Sequence, residues 1–204
     1  MKIVAILSLL FSLSLAASIA RDEPVFCHDL DCPKYTLVAK KTGYEIRAYA
    51  PSKWVGTTIT GTSYREAAET GFDLLFKYIS GANSANEKIP MASPVATKIV
   101  PGPGSTGEKN FTVLFFTPFA YQANTPTPTD PQLALVSLPA ITAYVTSFSG
   151  YENDAELQER TLELVNHLNK DGVAYVKDFY FTAGYDPPFR VIGRHNEVWL
   201  LAAN

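Results

Sequence analysis

The chain has 204 residues, 47% of them apolar and 18% charged, with a formal net charge of −3 at neutral pH. That is enough chain to build one full hydrophobic core. Lys and Arg do not cluster, so nucleic-acid binding has no electrostatic footprint, and nothing beyond the first twenty residues is long and apolar enough to span a bilayer.

Those first twenty residues read as a separate segment. Lys2 gives a positive start, Ile3 to Leu15 is a nearly unbroken apolar run, and Ser18-Ile19-Ala20 offers small residues at a cleavage site. This is the pattern of a secretory signal peptide over 1–20, removed from the mature chain. The expected location is extracellular, with the vacuole or another endomembrane lumen as the alternative. Residues 21–34 are polar and read as an N-terminal tail before a domain spanning 35–204. The tail holds both cysteines, Cys27 and Cys32, and in an oxidising compartment two neighbouring cysteines tend to pair. Asn110-Phe111-Thr112 is a glycosylation acceptor whose meaning depends on secretion.

Within the domain, Tyr44 to Tyr49 alternates apolar and charged residues, which predicts a half-buried strand ended by Pro51. The β-branched run from Lys53 to Thr60 predicts a second strand. From Ser63 the period changes. Tyr64, Ala68, Phe72, Leu75 and Ile79 recur at helical spacing, Ser63 and Glu66 suggest a capping box, and Gly81 closes the segment. After a loop over 82–94, strands follow at Val95 to Val100 and Phe111 to Thr117, separated by a Pro/Gly turn. The Pro/Thr-rich stretch 118–131 reads as an extended surface loop. The order then repeats. Strands are expected at Leu133 to Leu138 and Ile141 to Ser149, and a helix at Asp154 to Asn169 with Leu157, Thr161, Leu164, Val165 and Leu168 on one face. Two more strands are expected at Phe179 to Ala183 and Glu197 to Leu201. Two ββαββ halves make an α+β domain, with an eight-stranded antiparallel sheet curved into a barrel and both helices packed outside it.

The sequence contains no nucleophile elbow, phosphate-binding loop or dinucleotide fingerprint. His28, His167 and His195 are not at metal-ligand spacing, so no metal site is expected. The pairs Glu66/Glu69, Asp154/Glu156 and Glu159/Glu163 lie off the apolar stripes and read as solvated faces. No catalytic residue is assigned, and the chain reads as non-catalytic. What remains is aromatic wealth: Phe72 and Phe76 with Lys77 beside them, Met91 after Pro90, and the rigid turn Tyr185, Pro187, Pro188, Phe189. Such residues serve either as packing or as a shallow apolar cleft rimmed by cations.

Several segments resemble the SOUL/heme-binding-protein family. They are Tyr44-Glu45-Ile46-Arg47 with Tyr49, Pro51 and Trp54; Phe76 to Gly81; Asn86 to Val95; Tyr180 to Phe189; and Gly193-Arg194 with Asn196 to Leu200. The matches run in order from about Cys32 to the C-terminus. The resemblance implies a distorted antiparallel barrel flanked by two helices, and a heme or other tetrapyrrole held in a cleft beside the first helix. Carried over by position, Phe72, Phe76 and Lys77 stand on the helix side, with Met91 a further candidate from the loop after the helix. The loops around Lys109 and around Tyr185 to Phe189 form the opposite wall. A porphyrin face buries a few hundred Å2, and at about 25 cal/mol per Å2 that supports micromolar binding without an axial bond. Some members carry a histidine, proposed as axial iron ligand, where this chain has Ala48. A Cys-Pro dipeptide such as Cys32-Pro33 serves some regulatory proteins as a thiolate heme contact, and a disulfide to Cys27 would remove that thiolate. Two other readings stand beside the tetrapyrrole carrier. One is a protein-interaction module using the 118–131 loop. The other is a small-molecule hydrolase on an effector-binding-type barrel, which needs a carboxylate such as Glu45 or Glu197 pointing inward.

Overall fold

The computed structural model describes residues 24–102 and 107–203, so the segment read as a signal peptide lies outside the described residues. Alternating and β-branched runs become β1 (Tyr35–Lys41), β2 (Tyr44–Tyr49), β3 (Ser52–Gly61), β4 (Val95–Val100), β5 (Lys109–Phe116), β6 (Ala134–Leu138), β7 (Ile141–Phe148), β8 (Tyr180–Gly184) and β9 (Asn196–Leu201). The two helical periods become α1 (Tyr64–Ile79) and α2 (Asp154–Lys170). Ser63 caps α1 by accepting from the Glu66 amide, and Asn153 caps α2 from the Glu156 amide. Gly81 follows α1 at φ +124°, a conformation that favours glycine. Neither helix is long and apolar enough to cross a membrane.

Among the described residues the strands number nine, not the eight expected. All nine form one sheet in the order β1-β2-β7-β9-β8-β4-β5-β3-β6, every pair antiparallel. The added strand, β1, pairs with β2 across the turn at Gly43 and buries neither face, so it leaves no alternation to read. The sheet curls without closing, since β1 and β6 are its free edges. The curl is forced by chain connectivity. Strands β2 and β3 stand six places apart in the sheet, roughly 29 Å if flat. Only residues 50 and 51 join them, a reach of roughly 10 Å. The link between β6 and β7 imposes the same closure.

With β1 set aside, each half exchanges its first strand. β2 of the first half pairs with β7 of the second, and β6 of the second pairs with β3 of the first. The sheet therefore has a pseudo-two-fold axis between β4 and β8. Helix α1 lies on β3 and β5, and α2 on the counterparts β7 and β9. The face away from the helices is concave, and one apolar cluster fills it, including Tyr49, Trp54, Phe116, Phe181 and Trp199.

Residues 24–34, read as a tail, are docked on this concave face from Pro24 onward. Cys27 and Cys32 form a disulfide with a Cα–Cα distance of 6.2 Å, and both are buried in the cluster. The pairing removes the thiolate alternative at Cys32. Asp31 anchors the segment, its carbonyl accepting from Ser93 N at 3.0 Å and its carboxylate from Phe119 N at 2.7 Å.

The residues that α1 buries are Tyr64, Ala67, Gly71, Leu75, Tyr78 and Ile79, so Tyr64, Leu75 and Ile79 fall as expected while the middle of the stripe turns from Ala68 and Phe72 to Ala67 and Gly71. Gly71 sets this rotation. A Cβ there would lie 2.5 Å from Val113 Cγ2, so only glycine lets the helix come this close to β5. Gly71→Ala is therefore expected to destabilise by about 1–3 kcal/mol through overpacking, outweighing the gain of up to about 1 kcal/mol in helix propensity. Urea unfolding of the variant checks the sign.

Candidate functional site

Strand register brings the parts of the site to one level of the helix-facing surface. Phe115 of β5 lies opposite Val95 of β4, Val95 opposite Gly184 of β8, and Gly184 opposite Asn196 of β9. Neighbouring strands are about 4.8 Å apart, so Phe115 and Gly184 are separated by roughly 10 Å. Phe72 meets Phe115 edge-on at 5.1 Å and stacks on Phe76 at 5.8 Å, with 13° between the two ring planes. Phe72, Met91 and Val95 are half-buried against one apolar cluster, and Phe76 is 50% exposed. This is an apolar wall with a floor of Phe115, Val95 and Gly184.

Glu152, from the loop between β7 and α2, makes the other wall. Gly184 has no side chain, and Glu152 lies over it: a Cβ at Gly184 would be 2.8 Å from Glu152 Oε2. The carboxyl group lies beside the Tyr64 and Thr182 hydroxyls, which bond to each other at 3.2 Å, while Oε1 is shielded from solvent and has no partner. Burial pushes its pKa up to about 7, against the opposing effect of the nearby Tyr64 and Thr182 hydroxyls and the Arg194 charge. Burial also pushes the Tyr64 hydroxyl well above the usual phenol range. Arg194 donates to the carbonyls of Gly150, Asp186, Pro187 and Arg190, and Tyr151 OH donates to Pro188 O. The loop from β8 to β9 is thereby fixed, and it presents Phe189, 83% exposed, with Val191 and Ile192 to solvent.

A family model described as "SOUL heme-binding protein" matches residues 30–201. The chain belongs to the SOUL family. Heme-binding protein 2 of Homo sapiens is 36% identical over 161 residues, covering 79% of this chain and 78% of its own length. Heme-binding protein 1 of Xenopus laevis is 35% identical, covering 79% and 84%. Among solved structures, the C-terminal domain of EcmrR superposes with a TM-score of 0.59 at 10% identity, over 83% of this chain and 98% of that one. A hydrolase from Listeria innocua superposes at 0.51, also at 10% identity, over 81% and 94%. These two share the fold.

In this SOUL chain the residues expected at the site fall into separate places. Phe72, Phe76 and Met91 come together, with Lys77 exposed on α1 next to them. Phe189 stands at the tip of the fixed loop. Lys109 does not reach them. It starts β5, six residues from Phe115 or roughly 20 Å along the strand, and its amine lies 3.7 Å from Asp154 at the start of α2. Tyr185 lies on the opposite, concave face, where it donates to Glu197 at 2.8 Å. Strand alternation explains this, since Phe181, Ala183 and Tyr185 share one side of β8 and its extension. The sequence reading missed Glu152 and took Tyr64 only as core. No local pattern marks Glu152, whose burial comes from residues 64, 182 and 184.

The concave face holds the carboxylates on which the hydrolase reading turned. Glu197 is fully buried and accepts from Arg47 Nη1 at 2.9 Å, His195 Nε2 at 2.8 Å, Tyr185 OH at 2.8 Å and Trp199 Nε1 at 2.7 Å. Burial would raise its pKa, but the His195 bond, the Arg47 charge and the Trp199 bond override it and hold the carboxyl below its ordinary value. Glu45 pairs with Arg47 at 2.9 Å.

The residues at the helix-side cleft fit the flat face of a tetrapyrrole. They do not supply a histidine to iron. His28 bonds to Asp186, His195 to Glu197, and His167 packs against Gly43. Ala48 is on β2, five strands from β5.

A carboxyl whose folded pKa is raised confers stability that is present below its unfolded value of 4.5 and lost as pH climbs through about 7. Glu152→Gln is expected to gain roughly 1–3 kcal/mol over the parent at pH 8. The two should converge below pH 4.5, as chemical denaturation across that range would show.

Proposed function

We propose that this SOUL-family protein binds heme or another flat tetrapyrrole in the helix-side cleft, as a non-catalytic carrier or scavenger outside the cytosol. The observation that carries the reading is the parallel, half-exposed pair Phe72 and Phe76 beside Met91, a ready surface for a macrocycle face. Relatives named Heme-binding protein 1 and 2 support the ligand class. Stacking and apolar burial hold the macrocycle, and Lys77 at the rim meets a propionate. Phe189, Val191 and Ile192 offer further exposed apolar surface on the loop that follows Gly184.

The signal-peptide pattern and the disulfide support this compartment, since disulfides persist in oxidising compartments. Asn110 is exposed on β5, its side chain accepting from Thr60 Oγ1, and is open to glycan transfer. The 118–131 loop of the interaction-module reading is ordered and stays largely at the surface. Residues 118–131 are pinned, Tyr78 OH donating to Pro126 O at 2.7 Å and Thr127 N to Ser84 Oγ at 2.9 Å.

One observation favours a second reading, hydrolysis of a small ligand in the same cleft. The Glu152–Tyr64 pair has an acid near neutrality, suited to general acid–base work.

Titration of the protein with hemin and with iron-free protoporphyrin tests the carrier reading. Both should give saturable changes in the tetrapyrrole absorption band, with the ligand recovered unaltered. Phe72→Ala and Phe76→Ala should each weaken binding by about tenfold or more, as expected for removing a contacting aromatic ring. Absence of saturation with both ligands would exclude the carrier. Turnover of the ligand that Glu152→Gln abolishes would favour the hydrolase.

A further inference from the structure

The concave face contains a built slot that holds one aromatic ring, and the ring in it belongs to the chain itself. Phe26 stacks on His195 at 4.0 Å with only 4° between the planes, and meets Tyr185 edge-on at 4.8 Å. The Arg47 guanidinium lies 5.8 Å from the Phe26 ring. Glu197 holds His195, Tyr185 and Arg47 in place, so the slot is organised by β2 and by the residues flanking β8 and β9. Arg47 also lines an adjoining cavity of about 320 Å3, together with Lys40, Lys41, Glu45 and Ser147. That volume is at the lower end of small-molecule sites. Its cations Lys40 and Arg47 pair with Glu45 at 3.5 and 2.9 Å, and Lys41 is exposed beside them.

We propose that the interior of the curled sheet is a second ligand site, for a planar aromatic anion such as an aryl carboxylate or sulfonate, and that Phe26 occupies its ring position as a built-in plug. The ligand's ring replaces Phe26 on His195, and its acidic group reaches past Arg47 to Lys40 and Lys41. Asp31 anchors the segment that carries the plug, bonded to Ser93 and Phe119, and His28 adds a bond to Asp186 at 2.8 Å. Between that anchor and Phe26 the backbone passes through two left-handed non-glycine residues, His28 at φ 54° and Asp29 at φ 61°, a costly conformation. The Cys27–Cys32 bond closes this short loop and holds Phe26 down. The site lies on the opposite face of the sheet from Phe72 and Phe76, so it stands or falls independently of the tetrapyrrole reading.

The test uses 1-anilinonaphthalene-8-sulfonate as the aromatic anion, with energy transfer from tryptophan reporting on the interior around Trp199. Phe26→Ala should bind one equivalent at least tenfold more tightly than the parent, with an unchanged far-ultraviolet circular dichroism spectrum. Adding Lys40→Glu and Lys41→Glu should remove that gain and leave hemin affinity unchanged, whereas adding Phe76→Ala should leave the gain intact. Should Phe26→Ala fail to fold, the variant Cys27→Ser/Cys32→Ser keeps the ring but unlocks it, and should bind the probe at least threefold more tightly than the parent. No gain in the folded variant, or a gain that follows Phe76 rather than Lys40 and Lys41, overturns the proposal.

Discussion

One carboxylate organises the interior of this protein. Glu197 has no solvent contact, and the donors around it come from β2, β9 and the end of β8. A buried charge left unpaired is strongly destabilising, so the sheet must curl until Arg47, His195, Tyr185 and Trp199 all reach it. The two-residue links between β2 and β3 and between β6 and β7 demand the same curvature from the chain side. Connectivity and electrostatics thus specify one shape. Arg47 is in turn stacked 4.4 Å from the Tyr35 ring, which fastens the edge strand β1 to the rest.

The two faces of the sheet consequently carry different chemistry. Polar atoms on the concave side are spent on one another around Glu197, and the disulfide segment covers them. On the helix side the pseudo-two-fold axis passes between β4 and β8, where neither helix lies directly over the strands. There Thr97 and Thr182 face each other in register and Gly184 leaves room for Glu152. An acid near neutrality, an unpartnered Asn196 Oδ1 and an exposed aromatic pair come within a short span of surface. Polar groups left unsatisfied at such a site call for an explanation, and a ligand-binding cleft supplies one.

Much of the fold was legible because its signals are local. Alternation at Tyr44 to Tyr49, β-branched or apolar runs and the turns between them placed eight strands, and helical spacing with Ser63 at its head placed α1. Strand β1 was not legible, because an edge strand with both faces exposed has no burial to encode. The rotation of α1 was not legible either, since glycine carries no hydropathy to reveal that Gly71 is the contact point. At the site, Phe72, Phe76 and Met91 were visible as surplus aromatic and thioether residues near one helix. Tyr185 was misplaced because it was grouped with the prolines after it rather than with the alternation of Phe181 and Ala183 before it. Glu152 was invisible: a loop glutamate acquires its burial from residues 64, 182 and 184, far away in sequence.

The account rests on the claim that a tetrapyrrole uses the helix-side face and leaves the Glu197 interior untouched. Two-dimensional amide NMR of the labelled protein, with iron-free protoporphyrin added, tests this most directly. The account predicts shifts confined to α1 around Phe72 and Phe76, the segment around Met91 and Val95, and the chain from Gly184 to Ile192. Amides at Phe26, Arg47 and Trp199 should stay in place. Shifts centred on Phe26, Arg47 and Trp199, with α1 unmoved, would contradict it and place the macrocycle inside the sheet.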